Sequence, residues 1–283
     1  MRRGRVWAAA LAVAGLAAMV IGIVTTPPAR SATSVPGDLA AFGQTSTVGA
    51  LFTLSASGQL QNHFCTASVV DSPTGNLIVT AAHCMQGQRP GHVVFAPGYS
   101  AGGAPYGLWT VTKVIEDQPW LTSGDPDDDF AFLVVSQRGS KVPVQSLTGG
   151  EVVGVGQPAG RAVVVAGYPN VQNAPVACRN TVTALTATQF EFDCDGFTDG
   201  TSGSPLLAEP AATGSAATGN AASGAMVIGV IGGYEEGGYT ASVSYAARFS
   251  SRLADLYQVA VTASSQLAAA QAAARGIGIT VAW

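Results

Sequence analysis

Asp199-Gly200-Thr201-Ser202-Gly203-Ser204-Pro205 sets one serine between two glycines, after an acidic, cysteine-containing segment and before the apolar pair Leu206-Leu207. A nucleophilic serine needs exposure, a nearby base, and backbone N–H groups aimed at the oxyanion formed on attack. Small flanking residues let the backbone turn tightly and admit a substrate carbonyl to those N–H groups. The same stretch also reads as an ordinary Gly/Ser turn. What the rest of the chain supplies decides between them.

A base has few candidates, since the chain holds only His63, His83 and His92. His83 ends the apolar run Asn76-Leu-Ile-Val-Thr-Ala-Ala-His83-Cys84, where a bonded cysteine would hold its backbone rigidly. Taken alone it reads equally as a half-buried structural histidine. Asp129 closes the run Asp125-Pro-Asp-Asp-Asp and directly precedes the apolar strand Phe130 to Val135. A carboxylate there can be buried, as an orienting partner for imidazole must be. Asp125, Asp127 and Asp128 read as a solvated loop, with an oxygen-rich calcium site as the alternative.

Short strands fill most of the chain. The 283 residues are 47% hydrophobic and 11% charged, which excludes a disordered, charge-rich chain. With Gly 35 and Pro 15, the composition suits strands joined by turns better than a helical bundle. Strands are predicted over 48–54, 64–70, 76–83, 93–96, 108–115 and 130–135, and the polar stretch 136–150 links them to a second set. That set covers 152–155, 162–166, 182–187, 190–194, 205–208, 226–231 and 239–245. Strands at short intervals without intervening helices argue for an all-β sandwich or barrel. Residues 34–44 read as an extended start, and the Ala/Gly/Ser/Thr stretch from Glu209 to Ala225 as a loop. From Arg248 to Arg275 the pattern turns helical, with Phe249, Leu253, Leu256, Tyr257 and Val261 on the face that packs.

Arg2, Arg3 and Arg5 before the uncharged run Val6 to Val24, with small residues at Ala29, Ser31 and Ala32, read as an export signal cleaved after Ser31 or Ala32. The run is long enough that a retained membrane anchor is the alternative. Losing those three arginines and Arg30 takes the basic residues from 13 to 9 against 17 acidic, so the net charge moves from −4 to −8. With no basic block, nucleic acid is not an expected partner. Cys65, Cys84, Cys178 and Cys194 are an even number in an exported chain and show no metal-ligand spacing, which favours two disulfides over a metal site. Three pairings are possible. The nearest-neighbour one, Cys65–Cys84 with Cys178–Cys194, would contribute about 3 kcal/mol per bridge by the chain-entropy model.

The order His83, Asp129, Ser202 and the three local contexts carry a resemblance. Thr80-Ala81-Ala82-His83-Cys84 resembles the histidine motif of the trypsin/chymotrypsin-like serine peptidases, with Cys65 as the implied bridge partner of Cys84. Asp129-Phe-Ala-Phe-Leu resembles their aspartate motif, and Gly200-Thr-Ser-Gly-Ser-Pro their serine motif in its bacterial V8-like (glutamyl-endopeptidase) form. Ala166-Gly-Tyr-Pro and Val227-Ile-Gly-Val-Ile-Gly-Gly look like strands of that branch. The resemblance covers about 45–250. It implies an all-β fold of two six-stranded antiparallel barrels, chymotrypsin-like, followed by a C-terminal helix. The organisation expected is signal peptide 1–32, first barrel 33–140, second barrel 141–250, and helix and tail 251–283.

By the same resemblance Ser202 is the nucleophile, His83 the general base, Asp129 its orienting partner, and the N–H groups of Gly200 and Ser202 the oxyanion hole. The implied activity is that of a secreted, monomeric serine endopeptidase acting on polypeptides, with no cofactor and no metal. Two departures matter. Thr201 stands where trypsins carry an aspartate that pairs with the freshly cut N-terminus, so activation by that ion pair is not available. Ile231 stands where glutamate-selecting relatives place a histidine, which tells against glutamate specificity. The pocket is expected to be lined by Gly196, Phe197, Ile231, Gly232, Gly233 and Tyr234. Two other readings remain: a non-catalytic binding protein on the same fold, and a surface protein anchored through Val6 to Val24.

Overall fold

The computed structural model describes residues 35–36, 46–137, 140–209 and 225–276. The export segment, most of the extended start, the loop centred on 210–224 and the tail 277–283 lie outside the described residues. No helix among the described residues is long and apolar enough to cross a membrane.

The first half gives β2 (Val48–Leu54), β3 (Leu60–Val69), β4 (Leu77–Thr80), β5 (Val93–Pro97), β6 (Trp109–Glu116) and β7 (Ala131–Ser136), after the two-residue β1 (Val35–Pro36). β2 to β7 form a closed barrel in the order β2-β3-β4-β7-β6-β5, antiparallel throughout. Alternation explains the two environments of β7. Ala131, Leu133 and Val135 fill the barrel with Leu51, Val69, Ile78, Phe95 and Trp109, while Phe132 and Val134 face outward into a second apolar layer. Both faces are buried, so the strand reads as a continuous apolar run instead of an alternating one.

The second half supplies β8 (Val152–Val153), β9 (Ala162–Gly167), β10 (Val176–Thr181), β11 (Thr183–Ala184), β12 (Gln189–Asp193), β13 (Pro205–Ala208), β14 (Met226–Ile231) and β15 (Val243–Arg248). The second half of the expected chymotrypsin-like fold is a half-barrel sheet. The strands form a nine-stranded sheet in the order β1-β10-β9-β13-β14-β15-β12-β11, with β8 parallel to β14. β10 and β12 approach one another without a hydrogen-bonded ladder. The Cys178–Cys194 disulfide, Cα–Cα 6.5 Å, crosses that seam, and Asn180 Nδ2 donates to the Asp193 carbonyl at 2.6 Å. Val163, Val165, Phe190, Phe192, Leu206 and Ile228 pack inside. Several strand boundaries also move: the strand predicted at 182–187 shrinks to β11, that at 239–245 shifts to β15, and β10 was not anticipated.

Two short helices, α1 (Gln118–Ser123) and α2 (Val144–Thr148), were not legible in the periodicity. α1 starts where Asp117 accepts the Gln118 N–H at 2.8 Å with Pro119 in the first turn, and ends at Gly124 in the left-handed region. α3 (Ser251–Gly276) is the predicted C-terminal helix. Leu253, Leu256, Ala260 and Ala263 recur at three- and four-residue spacing and are buried, while the Tyr257 ring meets Phe132 edge-on at 5.6 Å. The helix follows the second sheet in sequence but packs on β4, β6 and β7 of the first barrel. Tyr257 Oη donates to the Asp71 carbonyl at 2.7 Å, and the Thr74 and Ser264 hydroxyls lie 2.6 Å apart, which fastens it there.

Candidate active site

β4 ends at Thr80, three residues before His83, and Ala81 and Ala82 lead buried into a 3-10 turn over His83–Met85. The predicted strand therefore stops short of the histidine. Cys84, inside that turn, is bonded to Cys65 on β3 with Cα atoms 6.2 Å apart, so a covalent tie sits one residue from the imidazole. The sulfurs of Cys65 and Cys84 lie within 4.8 Å of a His83 ring nitrogen, but as a disulfide they offer no thiolate to a metal.

Asp129 follows the 3-10 turn Pro126–Asp128 and is fully buried. Its carboxylate accepts three N–H bonds: His83 N to Oδ1 at 2.8 Å, His83 Nδ1 to Oδ2 at 2.7 Å, and Gly233 N to Oδ2 at 2.7 Å. With one imidazole nitrogen on the carboxylate, the other is directed away from it. Burial opposes charge on the ring, but the hydrogen bond and charge of Asp129, helped by Glu236, outweigh it, and His83 titrates above the ordinary histidine value. Gly232 is needed here because a Cβ would come within 2.8 Å of Asp129 Oδ2.

The neighbouring acids are not the solvated loop expected. Asp125 accepts the Asp127 N–H at 3.1 Å, and Asp127 Oδ1 accepts from Gln189 Nε2 at 2.9 Å. Asp128 is buried, with Oδ2 3.2 Å from Arg252 Nη1 on α3 and Oδ1 unpartnered. Desolvation pushes its pKa up to about 6 against the pull of Arg252. Gln189, buried, also donates to the Pro126 carbonyl at 2.8 Å and accepts from Tyr234 N at 3.3 Å, joining the aspartate turn to the second half.

Ser202 is half-buried on the wall of a cleft of about 510 Å³. Its neighbour Gly203, at φ +81°, packs so closely on the Thr66 carbonyl, Thr80 Oγ1 and Ala81 N that no side chain fits. That contact sets the serine turn of the second half against β3 and the end of β4, from which the chain runs on to His83. His83 and Ser202 are not joined by a hydrogen bond here, a pairing that in free enzymes is often long and tightens around substrate.

Thr201, Gly203 and Ser204 each direct the backbone N–H to an internal carbonyl: Thr198, Ile231 and Thr201 respectively. Among the described residues, the N–H groups of Gly200 and Ser202 have no such acceptor. Buried or half-buried amides left open in this way are uncommon and suit an incoming oxyanion. The Thr201 hydroxyl donates to the Thr198 carbonyl at 2.8 Å, a purely local bond.

Of the six residues named for the pocket, Phe197 and Ile231 line the cleft. Gly196, Gly232, Gly233 and Tyr234 do not. Gly232 and Gly233 are taken up by the packing of Asp129 and Gln189, and the wall comes from Glu236 to Ala241 with Ser244. Asn170, Val171 and Asp199 complete the opposite side. Glu235 and Glu236 both adopt left-handed backbone, φ +52° and +53°, a strained pair of which Glu236 lines the cleft.

A family model for the trypsin-like peptidase domain matches residues 65–214. Among solved structures, the protease Anisep from Arthrobacter nicotinovorans superposes with a TM-score of 0.63 at 22% identity, covering 80% of this chain and 99% of that one. A thermostable serine protease, AL20, from an extremophilic microorganism gives 0.61 at 25% identity, covering 78% and 99%. A Glu endopeptidase in complex with MPD gives 0.53 at 16% identity, covering 75% and 90%, a likeness of fold. No curated protein matches this sequence.

Proposed function

The chain belongs to the trypsin-like peptidase family, and from that membership we propose that it is a secreted, monomeric serine endopeptidase acting through His83, Asp129 and Ser202. One observation carries the reading. A carboxylate-held imidazole follows two residues after Ala81, on which the serine turn packs through Gly203, and in that turn Ser202 lines a cleft while the Gly200 and Ser202 N–H groups have no internal carbonyl acceptor.

In the first step Ser202 Oγ bonds to the carbonyl carbon of the scissile peptide while its proton passes to His83. Negative charge collects on the former carbonyl oxygen, where the N–H groups of Gly200 and Ser202 receive it, at about 3 kcal/mol per donor in comparable enzymes. The C–N bond then breaks, His83 returns the proton to the leaving amine, and an acyl-serine ester remains. Water, deprotonated by His83, adds to that ester, and the Ser202–acyl bond breaks to free a carboxylic acid as His83 returns the proton to Ser202 Oγ. Asp129 keeps the imidazole proton on Nδ1 and stabilises the imidazolium during both steps. The cleft brings Phe197 and Ile231 to the substrate and no imidazole, so glutamate selection is not part of the proposal. Export through residues 1–32 is, and it agrees with two disulfides in the described chain.

A fluorophosphonate probe should label the folded, disulfide-intact protein at Ser202. Ser202→Ala should abolish labelling, and His83→Ala should slow peptide hydrolysis by at least roughly 10³-fold. An unlabelled wild-type protein would sink the reading in favour of a binding protein on the same fold.

A further inference from the structure

In this peptide plane the C=O and N–H point in opposite directions, because the bond is planar and trans. Fixing a carbonyl therefore aims the amide on the other side. Every carbonyl from Asp199 to Ser202 is held. Asp199 O accepts from Asn170 N at 2.7 Å, and Thr201 O from Ser204 Oγ at 2.6 Å and Ser204 N at 3.0 Å. Gly200 O accepts from Thr66 Oγ1 at 3.0 Å, and Ser202 O from Thr66 N at 2.8 Å. The first pair sets the Gly200 and Ser202 N–H groups directly. The second pair holds the alternate peptides, so the whole turn is braced.

Thr66 is the one residue of the first barrel in this set. It is fully buried on β3, next to Cys65 and so to the tie that reaches His83. Its hydroxyl accepts from Tyr168 N at 2.9 Å while donating to Gly200 O, and its carbonyl accepts from Thr80 Oγ1 at 2.7 Å. Tyr168 leads into Pro169 and Asn170, and the Pro169 carbonyl is bonded to His63 Nε2 at 2.9 Å. The Thr66 hydroxyl thus links the serine turn to the strand end whose Asn170 holds Asp199, while its backbone carbonyl ties in the strand before His83. We infer that Thr66 is a positioning residue for the oxyanion hole, which braces the Gly200–Ser202 turn from the opposite barrel and stands in for the N-terminal ion pair that Thr201 cannot make.

The inference rests on the serine-peptidase reading. Its test compares Thr66→Val, which keeps size and backbone N–H but loses the hydroxyl, with Thr66→Ser, which keeps the hydroxyl. Acylation is followed by stopped-flow with a chromogenic peptide ester, together with fluorophosphonate labelling and thermal melts. Thr66→Val should lose at least tenfold in kcat and in labelling rate with KM within threefold of wild type, and Thr66→Ser should recover to within about threefold of wild type. Folded Thr66→Val at wild-type kcat would overturn the inference. So would a rate loss that Thr66→Ser does not restore, since that would mark a packing role. Wild-type protein that takes no label would fail the peptidase reading itself and the inference with it, an outcome distinct from both.

Discussion

The two halves of the molecule solve closure differently. In the first, six strands pair all the way round and the disulfide at Cys65–Cys84 contributes nothing to closing the sheet. In the second, β10 and β12 do not pair, and Cys178–Cys194 crosses the gap. The bridges enclose similar spans, with sequence separations of 19 and 16, so loop entropy alone assigns both about 3 kcal/mol. Position separates them. One adjoins the imidazole and the residue bracing the serine turn, and the other seals a wall. Equal stabilisation with unequal consequence for chemistry is the lesson.

The sharpest way to break that comparison is to remove each bridge. Replacing Cys65 and Cys84 together by alanine should cost at least tenfold in kcat at a temperature where the variant remains folded. The Cys178 and Cys194 double replacement should stay within about threefold, although urea denaturation should show a similar loss near 3 kcal/mol for both. Equal losses of kcat would end the distinction. Next in size, Asp128→Asn should raise the thermal midpoint at pH 8 by about 2–4 °C, since it removes a buried charge. The sign follows from linkage. The folded pKa of Asp128 is raised to about 6, so its ionised form disfavours the fold above that pH, and the penalty fades as the wild-type group protonates. The gap between variant and wild type should therefore close below about pH 4.

The smallest effect concerns the charge that the second half lends to the first. In the proposed mechanism His83 acts as a neutral base, so activity should fall as pH drops through its raised pKa. Glu236→Gln removes one of the charges that raise it. The acidic limb of kcat/KM should move to lower pH by a few tenths of a unit, with the plateau nearly unchanged. An unmoved limb would separate Glu236 from the imidazole.

His83, Asp129 and Ser202 stood out in the sequence only as an ordered set of three local contexts resembling one family's motifs, since His83 and the serine turn each read alone as structural too. Thr66, Asn170, Gln189 and Ser204 did not stand out. Thr66 and Gly200 are 134 positions apart, and nothing in either neighbourhood names the other. Thr66 does carry a trace of its place, as a small hydroxyl residue beside a bridging cysteine in an apolar strand. The cleft wall was missed for a different reason. Its left-handed turn is made by Glu235 and Glu236, where sequence would call for glycine, while Gly232 and Gly233 serve packing behind it. Closure of the second sheet was also illegible, because strand patterning counts strands and says nothing about whether the last meets the first.

α3 is the last described element of the chain, and the surface it covers belongs to the first barrel. Before α3 docks, the barrel of β2 to β7 lacks the cover that Leu253, Leu256 and Ala260 give it. Through that interval Phe132 and Val134 lie on the outside of a finished barrel with nothing over them, a sticky face of the kind that invites association between nascent chains. The first half therefore depends, for protection from its neighbours, on a helix placed far along the chain from it.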